Sequence, residues 1–336
     1  MSEKPKIALY WCASCGGCEE AVVDLAEDIL QVVEKAEIVF WPVAMDFKRK
    51  DVENLKDGEI LVSFINGSVR NSEQEEMVKL LRKKSKIVIA FGSCAYTGGI
   101  PGLANSYSKE EIMNYYYKEG LTVFNPEDKR PTPQYIEKNL AFEIPEFYER
   151  VYALDQVIDV DYYIPGCAPT RKVVKNSIDT LFSGNLPPKG SVLGASSKAL
   201  CNECPLNDTK PEKITLKEFK RIDKNQPEKD KCLLIQGFAC LGPVTRGGCE
   251  ALCVKANYPC TGCFGPLDGI EDYGAKALSF LASLIDSNNE EEIEKIINEW
   301  MPNPLGIVYK YSLPKSLIFE TKNKKKGVNY EKLEPK

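Results

Sequence analysis

The apolar run Ile7-Ala8-Leu9-Tyr10-Trp11 leads straight into Cys12-Ala13-Ser14-Cys15-Gly16-Gly17-Cys18-Glu19-Glu20. The run has the length and bulk of a buried strand, and residues 21–36 behind the cysteines read as a helix. Three cysteines therefore occupy a strand-to-helix turn. In open α/β sheets such turns lie at the carboxyl edge of the sheet, where ligands bind. Nucleotide-binding folds place a phosphate loop there; this chain places thiols, with glycines that let the backbone approach a bulky group.

The alternation continues. Strands are expected at 6–11, 37–43, 59–65 and 86–91, with a fifth ending at 162–164. Helices are expected at 19–35, 73–83 and 171–182. This pattern predicts a doubly wound parallel sheet, flavodoxin-like rather than dinucleotide-binding, because neither GxGxxG nor a Walker loop is present. Cys15 and Cys18 follow the first strand, Cys94 the fourth and Cys167 the fifth. Parallel strands point their carboxyl ends the same way, so these four thiols should meet at one edge. Buried free cysteine is the ordinary alternative, but three strand ends carrying one each argue for a site. Residues 105–145 are less regular, with a helix at 109–118 and a proline-marked loop.

The chain has 13 cysteines and no histidine. That excludes Ser-His-Asp and Cys-His machinery and every histidine ligand. Lys and Arg number 44 against 49 Asp and Glu, a net charge of −5, and no basic stripe or RNA-reading motif suggests a nucleic-acid partner. No apolar run approaches the roughly 18 residues of a membrane span. The segment Met1–Lys6 lacks the apolar core and twin arginine of an export signal, so a cytoplasmic location is expected. The cytosol is reducing, so disulfides do not account for the cysteines. Metal ligation remains, and soft thiolates select zinc, copper(I) or iron–sulfur clusters.

A length of 336 residues suggests two domains. The turn-rich stretch 183–190 divides them into 1–185 and 186–336. The second part contains Cys201-Asn202-Glu203-Cys204-Pro205, then Cys232, Cys240, Cys249, Cys253, Cys260 and Cys263. So many cysteines amid few strand or helix signals describe a largely irregular domain organised around metal. Two helices, 273–286 and 290–300, and a polar tail beginning at Lys322-Asn323-Lys324-Lys325-Lys326 follow.

Twelve of the cysteines divide into Cys15, Cys18, Cys94 and Cys167; Cys201, Cys204, Cys232 and Cys240; and Cys249, Cys253, Cys260 and Cys263. Cys12 is left over. Each set of four satisfies a four-iron cubane or a tetrahedral zinc site. Zinc ribbons usually pair two CxxC knuckles, and only Cys201/Cys204 and Cys260/Cys263 are clean late pairs, which favours iron–sulfur. Three clusters in one chain imply an electron path. A zinc-stabilised binding module stays open as the alternative.

The ordered motifs resemble the small subunit of NiFe hydrogenases from Lys6 to about Pro266. Cys15-Gly16-Gly17-Cys18 resembles its first CxGC motif, and Gly92-Ser93-Cys94-Ala95 with Gly98-Gly99-Ile100-Pro101 its second. Pro165-Gly166-Cys167-Ala168-Pro169 resembles its third, Cys240-Leu241-Gly242-Pro243-Val244-Thr245 through Cys249 a later one, and Pro259-Cys260-Thr261-Gly262-Cys263 the last. The resemblance implies an electron-transfer subunit with three 4Fe-4S clusters. The first set would be proximal, the Cys249 set medial and the Cys201 set distal. It also implies a NiFe centre in a separate large subunit. Cys201 stands where many members have histidine, and Cys253 where many have the proline that limits the medial cluster to three irons. The gap from Cys232 to Cys240 is longer than usual, and Cys12 has no counterpart. The missing export signal, the missing CxxCxxCxxxCP run and the all-cysteine ligands resemble the F420-non-reducing (methyl-viologen-reducing) group of methanogens. That group implies a small iron–sulfur acceptor subunit and a heterodisulfide reductase as partners. Quinone-reductase relatives, which carry only the proximal site, are the alternative redox family. Two further expectations follow. Glu20, in the first helical turn, either favours the helix dipole or moves protons next to the active site. The charged stretch 210–231, beside the distal set, would form a docking rim for the acceptor.

Overall fold

The structure is a computed structural model that describes residues 4–301 and 303–318. The lysine-rich stretch at 322–326 lies outside the described residues.

Five strands that are apolar on both faces pair into one sheet: β1 Lys6–Trp11, β2 Glu37–Phe40, β3 Ile60–Asn66, β4 Ser85–Phe91 and β5 Tyr162–Ile164. All pairs are parallel, and the order is β2-β1-β3-β4-β5. This is the flavodoxin-like order, in which the strand sequence reverses between β1 and β3 and leaves a crevice at their carboxyl ends. Alternation along β1 splits the core. Ala8 packs with Ile65, Val78, Leu81 and Val88 on one face. Ile7 and Leu9 join Leu25, Phe64, Phe91 and Val174 on the other. Helices cover both faces: α1 Gly17–Val23, α2 Asp28–Lys35, α3 Ser72–Lys84, the single turn α4 Ser93–Thr97, and α5 Arg171–Phe182.

Two elements differ from the sequence expectation. The helix expected over 19–35 is broken into α1 and α2, with Ala26 at φ 50°. The break coincides with Leu25, which is buried against the sheet. β2 stops at Phe40 instead of 43, because Pro42 has no N–H to continue the ladder. Within 105–145, the residues 134–137 and 140–143 pair as an exposed antiparallel hairpin.

Capping locks the ends of α3. Asn71 Oδ1 accepts from Gln74 N at 2.9 Å, and Arg82, Lys83 and Lys84 complement the dipole in the last turn. At the amino end of β5, buried Asp161 accepts from Val88 N (2.8 Å) and pairs with Arg82 (2.5 Å) and Lys189 (2.6 Å). Burial alone would raise its pKa. Lys189, Arg82 and the Val88 amide outweigh burial and hold the carboxyl below its ordinary value.

The chain divides into two compact units between Ser196 and Ser197. In the second unit no described element between 197 and 272 is longer than four residues. Among the described residues of this unit, helices longer than one turn appear only after the last cysteine, in α6 Tyr273–Ala282 and α7 Glu290–Trp300. Asp272 caps α6 by accepting from Ala275 N (2.9 Å). Its other oxygen gathers Tyr309 Oη (3.1 Å), Ser316 Oγ (3.2 Å) and Leu317 N (3.0 Å).

Candidate metal centre

Three strand-end loops carry the first set of thiols, and the backbone sews those loops together. Cys12 N donates to Asn66 O (2.8 Å) and Ala13 N to Ser68 O (2.9 Å), joining the loop after β1 to the loop after β3. Gly92 N donates to Ile164 O (2.7 Å) and Ser93 N to Gly166 O (2.8 Å), joining the loop after β4 to the loop after β5. Ser68 Oγ reaches Gly98 O at 2.8 Å and Cys94 O at 3.2 Å, closing the ring of loops.

Cys18 and Cys94 lie buried at the base of this ring, and Cys15 and Cys167 are exposed. All four are within electrostatic reach of one another. Burial pushes the Cys18 thiol up, and Cys94, Cys167, Cys15 and Glu19 push it further. Burial and then Cys167 and Cys15 push Cys94 up to about 12, against the Ile100 amide. Burial and Cys15 raise Cys167. Four mutually repelling thiolates at one spot require a cationic group to ionise, which is the donor chemistry of an iron–sulfur cluster. The glycines make room for it. A Cβ on Gly92, at φ 82°, would sit 2.3 Å from Cys18 Sγ; one on Gly99, at φ 58°, would sit 2.4 Å from Cys94 Sγ. A side chain at either position would displace one of the four sulfurs.

The carboxylate buried beside this set is Glu19, not Glu20. Glu20 is exposed on the first turn of α1. Glu19 accepts from Trp41 Nε1 and from Asn66 Nδ2 (2.6 Å), and Asn66 also accepts from Ser14 Oγ (3.1 Å). Burial raises the Glu19 pKa and the two hydrogen bonds pull it back. Sequence reasoning missed Glu19. Its signals were the partners at strand ends, Trp41 just past β2 and Asn66 closing β3, which only the sheet order brings to α1.

In the second unit, Cys201, Cys204, Cys232 and Cys240 line one cavity together with Lys210. Burial raises Cys201, Cys204 and Cys240, the last to about 12. Cys232 adds to all three, and Lys210 opposes the rise of Cys201 and Cys204. The remaining set groups as two pairs, Cys249 with Cys253 and Cys260 with Cys263. Cys260 also meets the Cys201 set, since its amide donates to Cys240 Sγ at 3.4 Å. Among the described residues, no three Cys, Asp or Glu side chains close around a single ion. Cys12 is buried under the sheet edge, away from these sets' mutual repulsion, and burial alone pushes its thiol up.

Comparison with known proteins identifies the family. The family described as NADH ubiquinone oxidoreductase, 20 kDa subunit, matches residues 15–181. The iron-sulfur subunit of the F420-non-reducing hydrogenase of Archaeoglobus profundus is 42% identical over 93% of this chain and 97% of its own length. The chain belongs to that family of F420-non-reducing hydrogenase subunits. Another member, from the vhu F420-non-reducing hydrogenase of Methanocaldococcus jannaschii, is 37% identical over 93% of this chain and 96% of its own. The chain is thus a hydrogenase small subunit of the NiFe type, an oxidoreductase component, as the cysteine motifs led us to expect. The fold agrees as well: a chain of the [NiFeSe] hydrogenase from Desulfovibrio vulgaris Hildenborough superposes with a TM-score of 0.51 at 19% identity, covering 80% of this chain and 96% of that one. The family model stops at residue 181, short of the eight later cysteines, so the quinone-reductase likeness extends only to the sheet unit. No described helix is long and apolar enough to cross a membrane.

Proposed function

We propose that this small subunit carries electrons from H2 oxidation at a NiFe centre, held by a partner large subunit, to an iron–sulfur acceptor subunit of a cytoplasmic heterodisulfide reductase complex. Three four-iron clusters would form the path. Cys15, Cys18, Cys94 and Cys167 hold the proximal one, Cys249, Cys253, Cys260 and Cys263 the medial, and Cys201, Cys204, Cys232 and Cys240 the distal. When bound, such clusters take up and release single electrons at potentials set by charge, hydrogen bonds and exposure.

The observation that carries the reading is the convergence of four thiols from three strand-end loops that hydrogen bonds tie into one ring. Zinc ribbons usually pair two CxxC knuckles, whereas the first set draws Cys15 and Cys18 from one loop and Cys94 and Cys167 from two others, a scatter that suits the four iron corners of a cubane. The exposed Cys15 and Cys167 favour a partner seated over the sheet's carboxyl edge. Lys210 beside the distal thiols favours an exit toward a charged acceptor surface.

The test is anaerobic purification with the large partner, followed by metal analysis and EPR. About twelve irons per chain, with nickel in the partner, is the expected result. Cys94→Ala should remove the proximal signals and abolish H2-dependent viologen reduction. Zinc in place of iron, or full activity in a metallated Cys94→Ala complex, would overturn the reading.

A further inference from the structure

A cavity of about 360 Å³ opens in the second unit, walled by parts of 220–223, 238–241, 258–261 and 303–310 and by Trp300. That volume falls in the range of small-molecule sites, roughly 300–1,000 Å³. Three aromatic side chains line it, Phe238, Tyr258 and Trp300. Trp300 ends α7, and the buried Phe219 ring packs against it with centroids 4.9 Å apart, which fixes the indole. Four charged side chains also line the cavity: Lys220, Arg221, Asp223 and Lys310. Asp223 pairs with Arg221 at 3.0 Å, so those two charges cancel. Lys220 and Lys310 have no ion-pair partner among the described residues. Asn303, also in the wall, accepts from Gly306 N through Oδ1 at 3.1 Å, and its Nδ2 has no acceptor among the described residues.

Two uncompensated ammonium groups in one cavity, in a chain of net charge −5, set the sign of the ligand. A cleft lined by one sign of charge focuses its field and concentrates the opposite sign. A phosphate monoester carries about −1.5 to −2 at neutral pH, which two lysines balance. The aromatic walls set the ligand's shape, because a flat ring gains from stacking on such side chains. We propose that this cavity binds a flat aromatic molecule bearing a phosphate, a mononucleotide in chemical class. Lys220 and Lys310 pair with the phosphate, Trp300 packs on the ring, and Asn303 Nδ2 is a free donor for an oxygen between them. None of these four residues belongs to a thiol set, so the site does not depend on which metal those sets hold. Cys260 and Leu241, which follows Cys240, form part of the same wall. The bound molecule therefore lies against backbone that carries thiols of both later sets.

The experiment is equilibrium binding to the whole anaerobic complex, with AMP, FMN and inorganic phosphate as probes. AMP or FMN should bind, and inorganic phosphate should bind more weakly than either. Lys220→Gln and Lys310→Gln should each weaken nucleotide binding by about tenfold, the worth of a lost charged hydrogen bond. Trp300→Leu should weaken AMP and FMN several-fold and leave the weak phosphate binding as it is. Iron content equal to wild type shows that a variant keeps its fold; should Trp300→Leu lose iron, the two lysine variants read the same site. Failure of AMP and FMN to bind the wild-type complex would overturn the proposal. So would nucleotide binding that the lysine variants leave unchanged. Inorganic phosphate binding as tightly as both nucleotides would overturn it as well, because the aromatic walls would then contribute nothing.

Discussion

The two units hold their thiols by different means. In the sheet unit, Cys15, Cys18, Cys94 and Cys167 hang from loops whose backbone is tied by ladder and loop hydrogen bonds and whose strands bury Ile60, Ile65, Ile89 and Ile164 to 0% exposure. In the second unit, Cys201 and Cys253 sit on single turns of four residues and the other thiols on irregular backbone, and the longer helices begin afterwards. A sheet can place ligands before any metal arrives, because its hydrogen bonds and core are complete without it. The second unit ties its short turns by scattered bonds instead of a ladder, such as Leu241 N to Cys260 O (2.9 Å) and Arg246 N to Gly265 O (3.1 Å), so on the proposed function metal would supply part of its folding energy. The proposed clusters of the two units would then differ in how far the fold depends on iron.

The largest effect should come from removing the iron. Structural metal sites contribute on the order of 10 kcal/mol to small domains. Amide hydrogen exchange after anaerobic chelation should show residues 197–270 losing protection, with the β1, β3 and β4 amides still slow. Equal loss in both units would break the comparison. Glycine substitutions sharpen it next. Gly99→Ala puts a methyl 2.4 Å from Cys94 Sγ, whereas Gly242→Ala puts one at 3.5 Å and 3.6 Å from Cys201 and Cys240 Sγ, ordinary contact. Iron analysis should show Gly99→Ala losing about a third of the metal, one cubane of three, and Gly242→Ala retaining it. The same iron content in both variants would contradict the steric argument.

A metal-independent contribution should reside in the sheet unit alone. Asp161→Asn should cost about 2 kcal/mol, from charged hydrogen bonds in a buried site, without altering iron content. Its pH dependence follows from a pKa held below the ordinary value. The stabilisation is full above the unfolded carboxyl pKa, near 4, and is lost as pH falls through the lower folded value. Urea melts at pH 6 and pH 3 should therefore differ more for wild type than for Asp161→Asn. The smallest effect is assigned to Cys12→Ala, about 1 kcal/mol for a buried atom lost, with iron and cluster signals unchanged. A lost cluster in that variant would place Cys12 among the ligands.

Strand order and the arrival of three strand ends at one edge were legible because they follow from periodicity, whereas Cys232 was counted with Cys201, Cys204 and Cys240 by order along the chain, and the cavity that the four line is a tertiary feature. α5 and α7 were read at their observed bounds, Arg171–Phe182 and Glu290–Trp300, since each has a capping residue and a clear apolar stripe. The break at Ala26 was not legible. Helix propensity along 19–35 is continuous, and the chain bends where Leu25 is buried against a sheet that the local sequence does not contain.

The residues alone give the inventory and the edge: thiols without histidine, at the carboxyl ends of parallel strands. Parallel strands allow only one such edge, so spacing was enough. Tertiary structure alone decided which neighbours those thiols acquire. Glu19 rather than Glu20 is the buried carboxylate because Trp41 and Asn66 arrive from β2 and β3, the two neighbours of β1. Tyr273 meets Thr245 across 28 residues because α6 packs over the Cys260 turn. Such hydrogen bonds act over about 3 Å between residues far apart in the chain, a distance that no sequence spacing encodes.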